Sequence, residues 1–248
     1  ILSGCVSFFG GNLLSLTRGP QDIVGLLSFS SSVDKFLDYT RPVNPQISSL
    51  FLLGSLLFLF LAVNGNFGKN KKLIVLAGVT SGLSIYISIY NWSFLTVFAF
   101  LYIFYALYKK DRSTFISLIW IVAINILITL PYWINFVQAK LQPAYIDTSM
   151  RFGVVGGHLP VFSIWLAASL LITIFLRPKR YERAIIFLLF MVLALWIAVN
   201  QQIITGLVIQ SAHYHWFITK PFLVSIVLSM AFVCLLERTI RSNKIRVV

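Results

Sequence analysis

The chain has 248 residues, 58% of them hydrophobic and only 11% charged, with a mean hydropathy of +0.89. Soluble domains carry roughly a quarter charged residues, so this composition excludes an ordinary globular protein and points to one that crosses a membrane several times. The formal net charge of +13 would suit nucleic acid, but the places where charges fall matter more than their sum.

Residues 1–45 are mixed, with Gly10-Gly11, Gly19-Pro20 and a serine-rich patch from Ser28 to Ser32. Their apolar runs, Val6–Phe9 and Ile23–Phe29, fall well short of the ~20 residues a bilayer needs. They predict a juxtamembrane or re-entrant segment on the outer face. No basic region precedes an apolar run with a small-residue cleavage site, so no signal peptide is expected, and the chain reads as the C-terminal part of something longer. Cys5 and Cys234 form no CxxC or Cys/His metal spacing, which indicates neither a redox nor a zinc role.

Residues 46–248 predict a seven-span transmembrane domain, entered through the extended Arg41-Pro42-Val43-Asn44-Pro45-Gln46. The spans are expected at Ile47–Val63, Leu73–Tyr90, Trp92–Tyr108, Phe115–Val137, Val161–Leu176, Ala184–Val199 and Pro221–Leu236. The fold class is therefore all-α: a polytopic transmembrane helical bundle of about seven spans, with outer-face loops and short interfacial helices. Pro131 lies near the end of the fourth span, where a kink is tolerated. Tyr132 and Trp133 beside it suit an interfacial aromatic belt, as do Trp92, Tyr108 and Trp216 at other span ends. Asn91-Trp92-Ser93 matches a glycosylation sequon, but a tight hairpin between spans is a poor place for a glycan.

Basic residues set the orientation. Lys69, Lys71, Lys72, Lys109, Lys110, Arg112, Arg177, Lys179, Arg180, Arg183, Arg238, Arg241, Lys244 and Arg246 fall in one set of loops and the C-terminus. The other set holds Arg18, Lys35, Arg41, Lys140, Arg151 and Lys220. The rich and poor loops alternate through all seven spans, which places the rich side in the cytoplasm of a cell-membrane protein. Topology and anionic lipid then account for the net charge, and no nucleic-acid partner is expected.

The outer side collects every histidine: His158, His213 and His215. In the loop after the fourth span, Pro160 suits the first turn of the fifth helix, which would put His158 and Gly156-Gly157 just ahead of a helix N-terminus. Arg151 adds a guanidinium suited to phosphate. Two readings stand side by side: a phosphate or pyrophosphate site, or an Arg151–Asp147 pair with His158 as a helix cap. Between the last two spans, residues 200–216 place Gln202, Gly206, Gln210 and His213 on one helical arc, with Ile203, Ile204, Leu207 and Val208 opposite. That pattern predicts a short helix at the membrane surface with a ligand-gripping face; the alternative is an interfacial loop whose amides and imidazoles face water. His213 and His215 at i,i+2 with no third ligand nearby do not make a metal site, and no cofactor is indicated. Nucleotide loops and nucleophile elbows are absent.

Pro143, Tyr145, Arg151, Gly153, His158 and Pro160, followed by Asn200, Gln201, Ile203, Thr205, Gly206, Gln210, His213 and Trp216, form a pattern that resembles membrane proteins organised like the GT-C glycosyltransferases. The resemblance runs from about Thr40 to the last span. It implies transfer of a sugar from a polyprenyl-phosphate-linked donor to an acceptor on the outer face, with membrane lipid and the lipid-linked donor as partners. Arg151, His158 and His213 would contact donor phosphate, while Gln201, Gln202, Gln210, His215 and Tyr145 would shape the substrate pocket. The catalytic carboxylate of such enzymes usually follows a first span that this chain does not contain, so no catalytic residue is carried over. Two rivals remain: a transporter or flippase for a lipid-linked or small polar substrate, and a lipid-linked polysaccharide polymerase or ligase. The span interiors hold Asn125 but no Asp, Glu, Lys or Arg, which argues against ion-coupled transport.

Overall fold

The computed structural model describes residues 45–65, 70–145, 154–175, 182–209, 211–214, 218–219 and 223–245. The chain is mostly helical: α1 (Pro45–Val63), α2 (Lys71–Ile87), α3 (Ile89–Tyr108), α4 (Arg112–Lys140), β1 (Val154–Gly156), α5 (Ile164–Phe175), α6 (Glu182–Val199), α7 (Gln202–Thr205), β2 (Leu207–Ile209), α8 (Ser211–Tyr214) and α9 (Ser225–Ile245). Helices stand at all seven stretches where spans were expected. Among the described residues, three segments are long and apolar enough to cross a membrane: Ile89–Tyr108, Arg112–Lys140 and Glu182–Thr205. The apolar helices at Ile47–Val63, Ile164–Phe175 and Ser225–Leu235 are shorter. The segment expected on the outer face at 1–45 lies outside the described residues, apart from Pro45.

Contacts divide the chain into two compact units. One comprises Gln46–Phe162 and Phe190–Tyr214; the other includes Ser163–Leu189 and the described part of His215–Val248. In the latter, α5 packs on α9. Leu166, Ser169 and Thr173 recur at helical spacing on the buried stripe of α5, and the Thr173 hydroxyl donates back to the Ser169 carbonyl at 2.7 Å.

The first unit is built on α1 to α4. Each helix reverses the direction of the one before. The Asn91 amide on α3 donates to the Ser48 carbonyl near the start of α1 at 2.9 Å, while the Thr114 hydroxyl near the start of α4 reaches the Val63 carbonyl at the end of α1 at 3.0 Å. Close approach of α2 and α4 depends on Gly78 and Gly82, four residues apart on one face. A Cβ on Gly78 would meet the Ile124 Cβ at 2.7 Å, and one on Gly82 would meet the Ile128 Cβ at 2.9 Å. No other residue type fits there.

Asn125, 6% exposed, ties three of these helices together. Its Oδ1 accepts from the Trp92 indole at 3.1 Å, its Nδ2 donates to the Ser81 hydroxyl at 3.0 Å, and Ser81 donates to the Gly78 carbonyl at 3.1 Å. The amide that the sequence places mid-span is thus a structural junction, and both ends of its side chain are used. Pro131 cannot donate to the Leu127 carbonyl four residues earlier, and beside that break the Tyr86 hydroxyl of α2 donates to the next carbonyl, that of Ile128, at 2.9 Å.

Several boundaries differ from expectation for local reasons. The second helix stops at Ile87 rather than Tyr90, because Ser88 is extended (φ −156°) and its side chain accepts from the Asn91 amide, capping α3. The sequon therefore lies in the first turn of α3 with Asn91 buried. The fifth helix begins at Ile164, not Val161, because Val161 is held extended: its N–H donates to the Asn200 Oδ1 at 2.6 Å and its carbonyl accepts from Asn200 Nδ2 at 3.1 Å. Pro160 is accordingly outside the helix, and His158 does not stand just ahead of a helix N-terminus. The seventh helix starts at Ser225 and runs on to Ile245, through the basic residues expected beyond its end.

The two ends of the four-helix unit differ in charge. Among its described residues Lys71, Lys72, Lys109, Lys110 and Arg112 lie at the end holding Val63 and Asp111, and Lys140 alone lies at the other.

Candidate functional site

The cation-poor end of the unit carries His158 and His213. The predicted amphipathic helix across 200–216 does not form. After α6 the chain makes the single turn α7, reverses at Gly206 (φ +69°), runs as β2 and enters the single turn α8. A left-handed residue ends a helix, and glycine adopts that conformation without the Cβ clash. The would-be arc is broken, and Ile203 and Ile204 remain half and almost fully exposed instead of forming a packed face.

A two-stranded antiparallel ribbon takes the place of the expected helix. β1 pairs with β2 in the register Val154↔Ile209, Val155↔Val208 and Gly156↔Leu207, and the Gly157 amide donates to the Gly206 carbonyl at 3.0 Å. The ribbon lays the loop before α5 along the segment after α6, which places His158 over Gly206. A Cβ on Gly206 would stand 3.0 Å from the His158 Cε1, so glycine is required here twice, for its φ and for the ring beside it. The His158 Nδ1 is 3.2 Å from the Ile203 carbonyl. A carbonyl only accepts, so Nδ1 holds the hydrogen and Nε2 is the acceptor in neutral His158.

The amides of residues 200–202 hold this arrangement. Besides clamping Val161, Asn200 donates to the Trp196 carbonyl at 3.0 Å. Gln202, 2% exposed, donates to the Leu159 carbonyl at 3.0 Å. Gln201 donates to the Leu207 carbonyl at 2.6 Å and accepts from the Thr205 hydroxyl at 2.6 Å. Of the side chains expected to line a pocket, Gln201 and Gln202 thus bind backbone, and they position β2 and the segment that carries His158. Tyr145 stands in an aromatic belt: its ring meets Phe136 edge-on at 6.2 Å, and the belt continues through Trp133, Tyr132, Trp92 and Tyr86. Arg151, Gln210 and His215 lie outside the described residues.

His213 takes part in a cluster that sequence reasoning did not assemble. Its Nδ1 lies 2.8 Å from the Tyr90 hydroxyl in the first turn of α3, and the two rings meet edge-on at 5.1 Å. The next residue, Tyr214, is 2% exposed. It packs edge-on against Tyr90 at 5.0 Å, and its hydroxyl is 2.7 Å from the Ser93 hydroxyl. Ser93 already donates its one hydrogen to the Tyr90 carbonyl at 3.0 Å, so Tyr214 must donate to Ser93. Burial pushes the Tyr214 phenol up to about 12 and keeps it protonated. It also lowers the pKa of His213 and favours the neutral imidazole. Tyr90 and Ser93 are separated from their partners by 123 and 121 residues, and nothing local in the sequence marks them.

In this cluster Tyr214 donates to Ser93, Ser93 to the Tyr90 carbonyl, and one of His213 and Tyr90 to the other, all on a rigid aromatic frame. The described residues bring no carboxylate to it, and among them no three His, Cys, Asp or Glu side chains gather as for a metal. Asp111 lies at the opposite end of the unit, where it caps α4 through Thr114. No protein-family model matches this chain, and neither a curated protein nor a solved structure does.

Proposed function

We propose that the chain is a seven-span protein of the cell membrane, with its cation-rich loops in the cytoplasm, that transfers a sugar from a polyprenyl-phosphate-linked donor at the opposite face. One observation carries this reading. The hydrogen-bonded His213–Tyr90 and Tyr214–Ser93 pairs stand together at the cation-poor end of helices whose interiors hold no ionised side chain. Chemistry at a membrane surface, and not ion movement through the bilayer, suits such a placement.

In the transfer, the anomeric carbon exchanges its bond to the donor phosphate oxygen for a bond to the acceptor oxygen. The electron pair of the broken bond stays on the lipid phosphate, and the acceptor's proton passes to a base. Pre-positioned hydrogen-bond donors stabilise the charge that grows on the phosphate. We assign that role to the His213–Tyr90 pair acting as a unit, one member donating to the other and the second hydrogen turned to the phosphate when the donor binds, with Arg151 as a further contact and His158 reaching the phosphate through Nε2–H as the imidazolium. Gln201 and Gln202 act indirectly, by holding the ribbon.

The rival transporter or flippase would draw on the cavity of about 270 Å³ among α1 to α4, lined by Leu59, Trp92, Leu95, Asn125 and Trp133 among others. The cavity's largely apolar walls, with the Asn125 amide already taken by Trp92 and Ser81, disfavour a polar cargo. A polysaccharide polymerase or ligase would share the surface chemistry and differ in its acceptor. The test places the intact protein in liposomes with labelled polyprenyl-phosphate sugars and a panel of acceptors. Release of lipid phosphate coupled to sugar transfer is expected. Movement of the substrate across the bilayer without any release would overturn the reading.

A further inference from the structure

The cations at one end of the four-helix unit are drawn together because α2 and α4 run parallel and nearly in contact. The Gly78 position faces Ile121 and Ile124, and the Gly82 position faces Asn125 and Ile128, so a residue of α2 is level with one 43 to 46 places later in α4. That offset sets Lys71 and Lys72 beside the first two turns of α4, whose first residue is Arg112. The turn between α3 and α4 adds Lys109 and Lys110 at the same end, and all five side chains are exposed. Neither α2 nor α4 carries an acid in its first turn. Both present the positive end of a helix dipole there, so like poles and like charges stand abreast. Asp111 is the one carboxylate in the turn, and Thr114 engages both of its oxygens, its amide at 3.0 Å and its hydroxyl at 2.8 Å.

Lys110 makes the turn in the left-handed region, with φ +55°. Its N–H donates to the Leu107 carbonyl at 3.0 Å, and the Asp111 N–H donates to the Ala106 carbonyl at 2.9 Å. Glycine makes this reversal at a helix C-terminus without strain; a lysine strains the backbone and keeps a cation at the rim. Beneath the cations the surface is apolar. Phe104, Leu107 and Tyr108 on α3 are 66%, 51% and 80% exposed, and on α2 the exposed Val75 and Leu76 lie one turn in from Lys71 and Lys72. Cations above an exposed apolar skirt match an amphiphile whose phosphate meets the lysines while its chains lie along the helices. We infer that the ends of α2, α3 and α4 bind the head group of an anionic phospholipid in the leaflet at the cation-rich face. The inference rests on these helices crossing a membrane and does not require sugar transfer.

The test reconstitutes the intact chain in bilayers of equal parts phosphatidylglycerol and phosphatidylcholine, extracts it in mild detergent and counts the retained lipids by native mass spectrometry. Phosphatidylglycerol should be retained in preference. The paired changes Lys71→Gln/Lys72→Gln and Lys109→Gln/Lys110→Gln should each cut that preference about tenfold. Lys140→Gln, at the opposite end, should leave it unchanged. Lys110→Gly separates binding from folding, because it removes the cation and relaxes the turn. Lipid retention should fall while the unfolding midpoint rises, whereas a variant that merely misfolds lowers both. Glycerol phosphate, a head group without chains, should not displace the bound lipid. Equal retention of the two lipids by the unaltered chain, or an equal loss with Lys140→Gln, would overturn the inference. Displacement by glycerol phosphate would overturn it too, by showing a site for a soluble anion.

Discussion

At the scale of single residues, the Tyr90 hydroxyl is the group on which the orientation of His213 rests. Tyr90→Phe keeps the edge-on ring contacts and deletes only the hydrogen bond, so it separates packing from chemistry. We expect it to slow lipid-phosphate release by about a hundredfold, the lower range for a positioned proton-handling group. The Tyr90→Phe/His213→Gln pair should cost little more than either change alone, because both sever one interaction; additive losses in a double-mutant cycle would separate the two residues. The acid limb of the reaction follows from the lowered pKa of His213. Below about 6.5 an unfolded histidine takes up a proton while the buried one resists, so the folded protein loses stability as pH falls through that window. Thermal melting in detergent should drop on acidification below that value, and His213→Gln should flatten the drop.

At the scale of helices, the Gly78/Gly82 face makes a sharper demand than any hydrophobic contact in the unit. Gly82→Leu would drive a side chain into Ile128 and should cost about 1–3 kcal/mol, read as a lower unfolding midpoint; an unchanged midpoint would mean that α2 and α4 are not held this closely. The helices themselves were legible because an apolar run announces itself in one dimension. Their ends were less so: the break at Ser88 depends on a cap to Asn91, and the late start of α5 depends on Asn200, 39 residues away. Residues 200–216 were misread for the same reason. The period there matched a helix, but glycine at 206 and the pull of residues 154–159 on the amides and strand outweighed the period. Residue type pointed to His158 and His213, while their partners Ile203 and Tyr90 emerge only from the fold.

At the scale of the molecule, the asymmetry of charge is the feature from which orientation can be read. With Cys5 and Cys234 replaced, cysteines introduced at Lys72 and Ile204, both exposed, should label from opposite sides of sealed vesicles. Ile204→Cys should react with an impermeant reagent outside the cell and Lys72→Cys only after permeabilisation; the reverse order would turn the molecule over. Among the described residues, five cations at one end of the four-helix unit against one at the other would also couple the molecule to voltage in the proposed orientation. An inside-negative membrane potential works against carrying a positive charge outward by ~2.3 kcal/mol for each 100 mV. Turning the unit over would carry a net four such charges outward, once Asp111 is counted, and bring one back, a work term comparable to the whole folding stability of a small domain. In the proposed orientation the energised membrane would act as an external lock on the direction in which this protein faces.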